Sequence, residues 1–266
     1  MHSSTSRTLS PMMRQYNEAK KICPEALLLF RMGDFYEMFF EDAKIAAQVL
    51  GLALTSREKG PGGMPMAGFP HHQLDSYIAK LIAAGYRAAV CEQMEDSKKS
   101  KGIVKREVTR IVTAGTVTEE TLLNPKQSNF LAAVCLDPKT PNLEVGLAWV
   151  ELSTGEFFAT TVPVKQVAEQ IARILPSEII YSDKEIFDIP LFFKTQLTKR
   201  PDWTFGHQTA LGLLLKQFEA STLEGFGFSS KPTETPGIRA AGAILSYLNE
   251  TQRQTSSQID SIVAYR

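Results

Sequence analysis

Long apolar runs are missing from this 266-residue chain. The longest, Ala26–Phe30 and Phe130–Leu136, fall far short of the ~20 residues that a bilayer-spanning helix needs. The first ten residues, MHSSTSRTLS, hold no apolar h-region, so a secretory signal is not expected. Cysteine is scarce. Cys23, Cys91 and Cys135 are odd in number, far apart and without a C-x-x-C pair. That pattern argues against a disulfide framework or a structural zinc site and points to reduced thiols in a cytoplasm. Net charge is also missing, because 29 basic and 29 acidic side chains cancel, which argues against a general polyanion binder. No G-x-x-x-x-G-K-[ST] sequence occurs, so Gly60-Pro61-Gly62-Gly63 reads as a surface loop and not as a phosphate cradle.

What is there is ordinary for a globular chain: 43% hydrophobic and 22% charged residues. The zero net charge hides an asymmetry. Through Gly115 there are 16 Lys/Arg against 12 Asp/Glu, and from Thr116 onward 13 against 17. Halves of opposite sign suggest two domains with different partners.

Local signals order the elements. Ser10 and Pro11 open a helix that Pro24 ends. Ala26–Met32 reads as a strand broken at Gly33-Asp34, and Phe35–Phe40 as extended or turning chain. A helix over about 41–50 stops at Gly51, and a Gly/Pro-rich loop is expected to run through Pro65, Gly68 and Pro70. A second amphipathic helix carries Leu74, Tyr77, Ile78, Leu81 and Ile82. Tyr86–Glu92 and Val108–Thr113 read as strands around a basic loop. The second half begins with strands over 129–136, 144–152 and 156–162, then a helix through Val164–Leu175, a short strand over 178–181 and an edge strand over 196–203. Helices around 207–220 and 237–250 follow. The predicted class is α/β (α+β): a mixed-sheet first domain and a second domain whose strand-strand-strand-helix-strand order is that of the ribonuclease H-like fold. The predicted limits are a disordered extension over 1–10, a first domain over 11–115, a linker over 116–128, a second domain over 129–236 and the opening of a third over 237–266. The polar tail carries no stop signal and no visible partner, so the chain is expected to be a fragment.

Arg31–Phe40 is the densest stretch, with four aromatics in the six residues from Phe35 to Phe40. In an extended strand Phe35 and Glu37 share one side and Tyr36 takes the other. An aromatic ring beside a carboxylate can stack on a base and hydrogen-bond its edge. The plainer alternative is a core strand plus a turn. Lys98, Lys99, Lys101, Lys105, Arg106 and Arg110 form a basic run against one acid, Glu107, and read either as a solvated face or as a phosphate contact. Arg57 stands beside the Gly/Pro loop. His71-His72 lacks a spaced third ligand, so capping or a polar contact is expected there, and no metal. A rival reading gathers Asp137, Glu169 and Asp183 for metal-dependent phosphodiester cleavage. A third makes the chain a protein-interaction module without DNA contact.

The blocks G-D-F-Y-E-M-F, L-T-S-R, P-M-A-G-F-P-H-H, C-E-Q and R-E-V-T-R-I-V-T-A-G-T, in that order, closely resemble the N-terminal part of the MutS family of DNA mismatch-repair proteins. G-L-A-W-V-E-L-S-T-G-E-F resembles the family's connector domain, and A-A-G-A-I-L-S-Y-L-N-E-T-Q-R the entry to its third domain. The resemblance implies a bacterial, cytoplasmic protein acting at the nucleoid on double-stranded DNA with mispairs or small loops. It implies that Phe35 wedges into the duplex and stacks on the mispaired base while Glu37 hydrogen-bonds it. Arg57, Lys105, Arg106 and Arg110 are candidates for the DNA backbone. It further implies a homodimer, recruitment of a MutL-like protein, and ATP with magnesium in an ATPase region outside this chain. No cofactor, catalytic residue, metal or membrane contact is expected of the chain itself.

Overall fold

The computed structural model describes residues 10–56, 63–95, 104–118, 128–137, 144–185, 195–229, 231, 235–252 and 258–266. Residues 1–9 of the expected disordered extension and most of the expected linker fall outside them. The chain divides into two compact units, 1–112 and 113–266. Among the described residues there are six α-helices and two six-stranded mixed sheets, so the fold is α/β.

In the first unit, Ser10 caps α1 (Pro11–Ile22) by accepting from the Met13 N–H, with Pro11 in the first turn. Strands β1 (Leu27–Met32) and β2 (Phe35–Phe39) form a hairpin, and α2 (Phe40–Leu50) ends at left-handed Gly51. Then come β3 (Thr55–Ser56), β4 (Pro65–Pro70), α3 (Leu74–Ala83), β5 (Ala88–Gln93) and β6 (Arg106–Val112). The sheet order is β3-β4-β2-β1-β5-β6, with β1 and β5 parallel and the other neighbours antiparallel. One face carries Leu28, Phe30, Phe39, Ala89, Cys91, Val108 and Ile111 against Met13, Tyr16 and Ala19 of α1. The stretch expected to be loop through Pro65, Gly68 and Pro70 is an interior strand. Both prolines stand at its ends, and its ladder partners come from β2 and β3, which local composition does not reveal.

In the second unit, β7 (Phe130–Asp137), β8 (Glu144–Glu151) and β9 (Glu156–Pro163) form an antiparallel meander. After α4 (Val164–Ile174) come β10 (Glu178–Ser182) and β11 (Gln196–Arg200), parallel to β7 and to each other, with β11 at the edge. Helix α4 lays Val167, Ile171 and Ile174 on one face of the sheet, against Ala132, Val134, Leu147 and Trp149. Helices α5 (His207–Gln217) and α6 (Thr235–Thr251) cover the other face. A Cβ on Gly242 would stand 2.2 Å from that of Ala210, so glycine permits the close contact of α6 with α5.

Two expectations need correction here. The stretch 237–266, expected to open a third domain, is part of the second unit: Ile238, Ala241, Ile244 and Leu248 of α6 sit in its core. The tail has partners as well. Ile259 and Ile262 are buried in that core, and β12 (Val263–Ala264) pairs with β9. With few apolar residues and no periodicity, the tail is held by partners distant in sequence.

Candidate nucleic-acid interface

The Phe35–Glu37 pair is presented by a short hairpin. Gly33 lies at φ +60°, the left-handed region that glycine enters without penalty, and sets Met32 opposite Phe35. Strand β2 is hydrogen-bonded on both sides, by β1 and β4. Phe35 therefore lies between Met32 and Pro70, and Glu37 between Phe30 and Gly68. A Cβ at position 68 would approach the Tyr36 carbonyl to 2.8 Å and Glu37 Cγ to 3.5 Å. Glycine thus leaves the surface beside Glu37 open.

Exposure separates the two readings of the aromatic stretch. Phe35 is 48% exposed, whereas Tyr36, Met38 and Phe39 are 1%, 0% and 0% exposed. Phe35 is not a core residue. Phe39, on the same face, is covered by the Tyr16 ring at 5.0 Å, edge to face, and α1 leaves Phe35 open. On the opposite face Tyr36 anchors the strand. Its hydroxyl donates to the Glu92 carboxylate, and Arg31 lies 3.9 Å from Glu92 and 5.5 Å from the Tyr36 ring. Burial, and then the Glu92 carboxylate, pushes the Tyr36 phenol well above its usual range, so it stays a donor. The His71 N–H donates to the Asp34 carbonyl at 2.8 Å, tying the exit of β4 to the turn. His71 and His72 fall in a single 3₁₀ turn.

The three described backbone candidates, Lys105, Arg106 and Arg110, do not share one surface. Arg57 lies outside the described residues, as do Lys98, Lys99 and Lys101. Lys105 is exposed, and its ammonium, 2.6 Å from Glu107, is held protonated by that carboxylate. Arg110 pairs with Val90 across a register shift between Val90 and Cys91. That bulge turns it away from Val108 and Ile111, which face α1, and towards α3, where Asp75 lies 3.8 Å away. It stands on the face opposite Phe35. Arg106 is on the Phe35 face, but its donors point inward. Nε donates to the Arg31 carbonyl at 2.7 Å and Nη1 to the Val104 carbonyl at 2.9 Å, and the guanidinium lies 5.2 Å from the Phe30 ring. Burial lowers its pKa, and the Cys91 thiol and Glu37 carboxylate act the other way. The Gln93 amide completes the cluster. With its oxygen turned inward, as the donors around it require, it accepts from the Gly33 N–H at 3.3 Å and from Arg106 Nη2 at 3.1 Å. Gln93 and Gly68 were missed from sequence. Both lie inside the quoted blocks C-E-Q and P-M-A-G-F-P, but neither offers the ring or charge by which candidates were chosen.

In the second unit, no group of three or more His, Cys, Asp or Glu among the described residues is placed to hold a metal ion. Asp183 instead accepts the Asp202 N–H at 3.1 Å. The metal-dependent nuclease reading therefore has no support. No helix among the described residues is long and apolar enough to cross a membrane.

The family model described as MutS domain I matches residues 10–121, and that for MutS domain II matches residues 129–260. The chain is 47% identical to the DNA mismatch repair protein MutS of Rhodopirellula baltica, over 97% of the chain and 31% of that protein. It is 42% identical to the protein of the same name from Dehalococcoides mccartyi, over 97% of the chain and 29% of the relative. The Salinibacter ruber protein of that name is 41% identical over 99% of the chain and 29% of its own length. The chain thus spans less than a third of each of these relatives.

Proposed function

The chain belongs to the MutS family, and on that premise we propose that it is a DNA-binding module that recognises mispairs and small loops for mismatch repair. The observation that carries this reading is Phe35, a large apolar ring held half-exposed on a strand paired on both sides. Inserting a ring between base pairs costs a few kcal/mol of stacking, and a mispaired base resists least. A rigidly mounted wedge therefore selects for local deformability, and one site serves several mispairs. Glu37 is two residues away on the same side. A carboxylate near phosphates is repelled, so its place there is explained by a hydrogen bond to the extruded base edge, with the nearby Arg106 charge moderating the repulsion. Of the described backbone candidates Lys105 is the most exposed and so the one left to meet the backbone, and Arg57 is the other candidate.

The second unit, in the acidic half of the chain, fits protein docking and relay to the rest of a longer family protein better than it fits DNA. Homodimer formation, binding of a MutL-like protein and ATP hydrolysis with magnesium are assigned to that longer protein, acting at the bacterial nucleoid.

Titration of matched and single-mismatch duplexes at one salt concentration tests the proposal. Phe35→Ala should forfeit roughly 1–3 kcal/mol of stacking and with it the preference for the mismatch. Glu37→Ala should hold or strengthen binding to matched DNA while discrimination falls. A Phe35→Ala chain that still prefers the mismatch overturns the wedge.

A further inference from the structure

We infer that Arg106 and Gln93 form an internal strut that positions the Phe35 wedge, and that Arg106 is a positioning residue, not a phosphate contact. The inference rests on the reading of Phe35 as the wedge. It starts from a gap in the sheet. The β1–β5 ladder runs from Leu27↔Ala88 to Phe30↔Cys91 and goes no further. Arg31, Met32 and the Gly33 turn therefore continue past the point where β5 supports β1 through its backbone. A wedge at Phe35, directly after that turn, would be pushed by the base stack at the least supported end of the hairpin.

Two side chains replace the missing ladder. Arg106 stands on β6, two strands from β1, and Gln93 is its partner on the intervening β5. The guanidinium reaches across β5 to the Arg31 carbonyl, crosses the Phe30 ring at 5.2 Å, and donates to the Val104 carbonyl and the Gln93 amide oxygen. That same oxygen receives the Gly33 N–H. The chain of support runs from β6 through β5 to Arg31 and Gly33, on the approach to the bend that carries Phe35. Arginine suits this because its planar fork presents several donors at fixed angles, and charge-assisted bonds to carbonyls are stronger than neutral ones. Lysine has a similar charge but is a point donor, unable to span three acceptors.

The test compares Arg106→Lys and Gln93→Leu with the unaltered chain. The first readout needs no DNA: amide hydrogen exchange resolved at Gly33. Loss of the strut should speed exchange there by about tenfold or more in both variants, as the loss of one such bond implies, while Leu28–Phe30 keep their protection. The second readout is the dependence of duplex affinity on salt. As a positioning residue, Arg106 changed to Lys loses mismatch preference and keeps the salt slope. As a phosphate contact, Arg106→Lys keeps the preference, and Arg106→Ala weakens matched and mismatched binding alike and reduces the slope by about 1. Unchanged exchange at Gly33, or that phosphate pattern, overturns the inference. If the unaltered chain shows no mismatch preference, the wedge reading fails, and exchange at Gly33 still decides whether the strut exists.

Discussion

Both units are built on six-stranded mixed sheets, yet they treat the faces of those sheets differently. In the second unit α4 covers one face and α5 with α6 the other, and even a carboxylate at the start of β10 is enclosed. Glu178 is 0% exposed and accepts from Thr113 Oγ1 (2.5 Å), the Gly115 N–H (3.0 Å), Thr198 Oγ1 (2.6 Å) and the Tyr247 hydroxyl (2.8 Å). In the first unit α1 covers its face only in part. Phe39 and Phe35 lie on the same face of one strand, four residues apart, and are 0% and 48% exposed. The difference teaches where recognition can be placed. A sheet closed on both faces can carry load, but its side chains are committed to the core. A sheet left open at one end offers a rigid backbone and an uncommitted ring, and little ordering remains to be done on binding.

The contrast can be broken in four places. Phe39→Ala should cost about 3–5 kcal/mol through lost burial and a cavity, seen in denaturation of the first unit followed by hydrogen exchange. Glu178→Ala should cost the second unit about 2–4 kcal/mol, because several buried donors lose their acceptor. Trp149 and Trp203 are the chain's two tryptophans and both belong to the second unit, so fluorescence melts report on it. A loss no larger than that of a surface change would mean the network does not hold that core.

The third case is a pH effect. Burial raises the Glu185 carboxyl from 4.5 to about 7, against the smaller opposing effects of the Leu136 N–H and Arg239, and its Oε2 has no hydrogen-bond partner among the described residues. The unfolded chain therefore ionises this group first. Its contribution should make the tryptophan-reported stability fall as pH rises from 4.5 to about 7 and then level off. Glu185→Gln should remove that slope, and an identical slope in the variant would refute the assignment. The smallest effect is expected for Phe35→Ala, within about 0.5 kcal/mol of the unaltered chain. A loss as large as that of Phe39→Ala would return Phe35 to the core.

Much of this was legible in the residues. The cap at Ser10, the stops at Gly51 and Gly85, the apolar stripes of α3 and α4 and the alternation Phe35-Tyr36-Glu37 are local patterns with periods of 3.6 or 2, and the helices and faces follow them. Family membership was legible too, because the blocks carrying it are contiguous. Other features belong to the tertiary structure. Pro65–Pro70 is a strand because β2 and β3 supply its partners, and the tail is ordered by β9. Composition groups Arg110 with Arg106, but the register shift that leaves Thr109 unpaired on their shared strand sends Arg110 to the opposite face. Arg106 looked like one cation of a basic run until the Arg31, Val104 and Gln93 oxygens were found to occupy its donors. The physical reason is the same each time. A residue's own neighbours set its conformation and the side it faces, whereas many of the groups that satisfy its hydrogen bonds and charge are brought in from other elements by the packing of the whole unit.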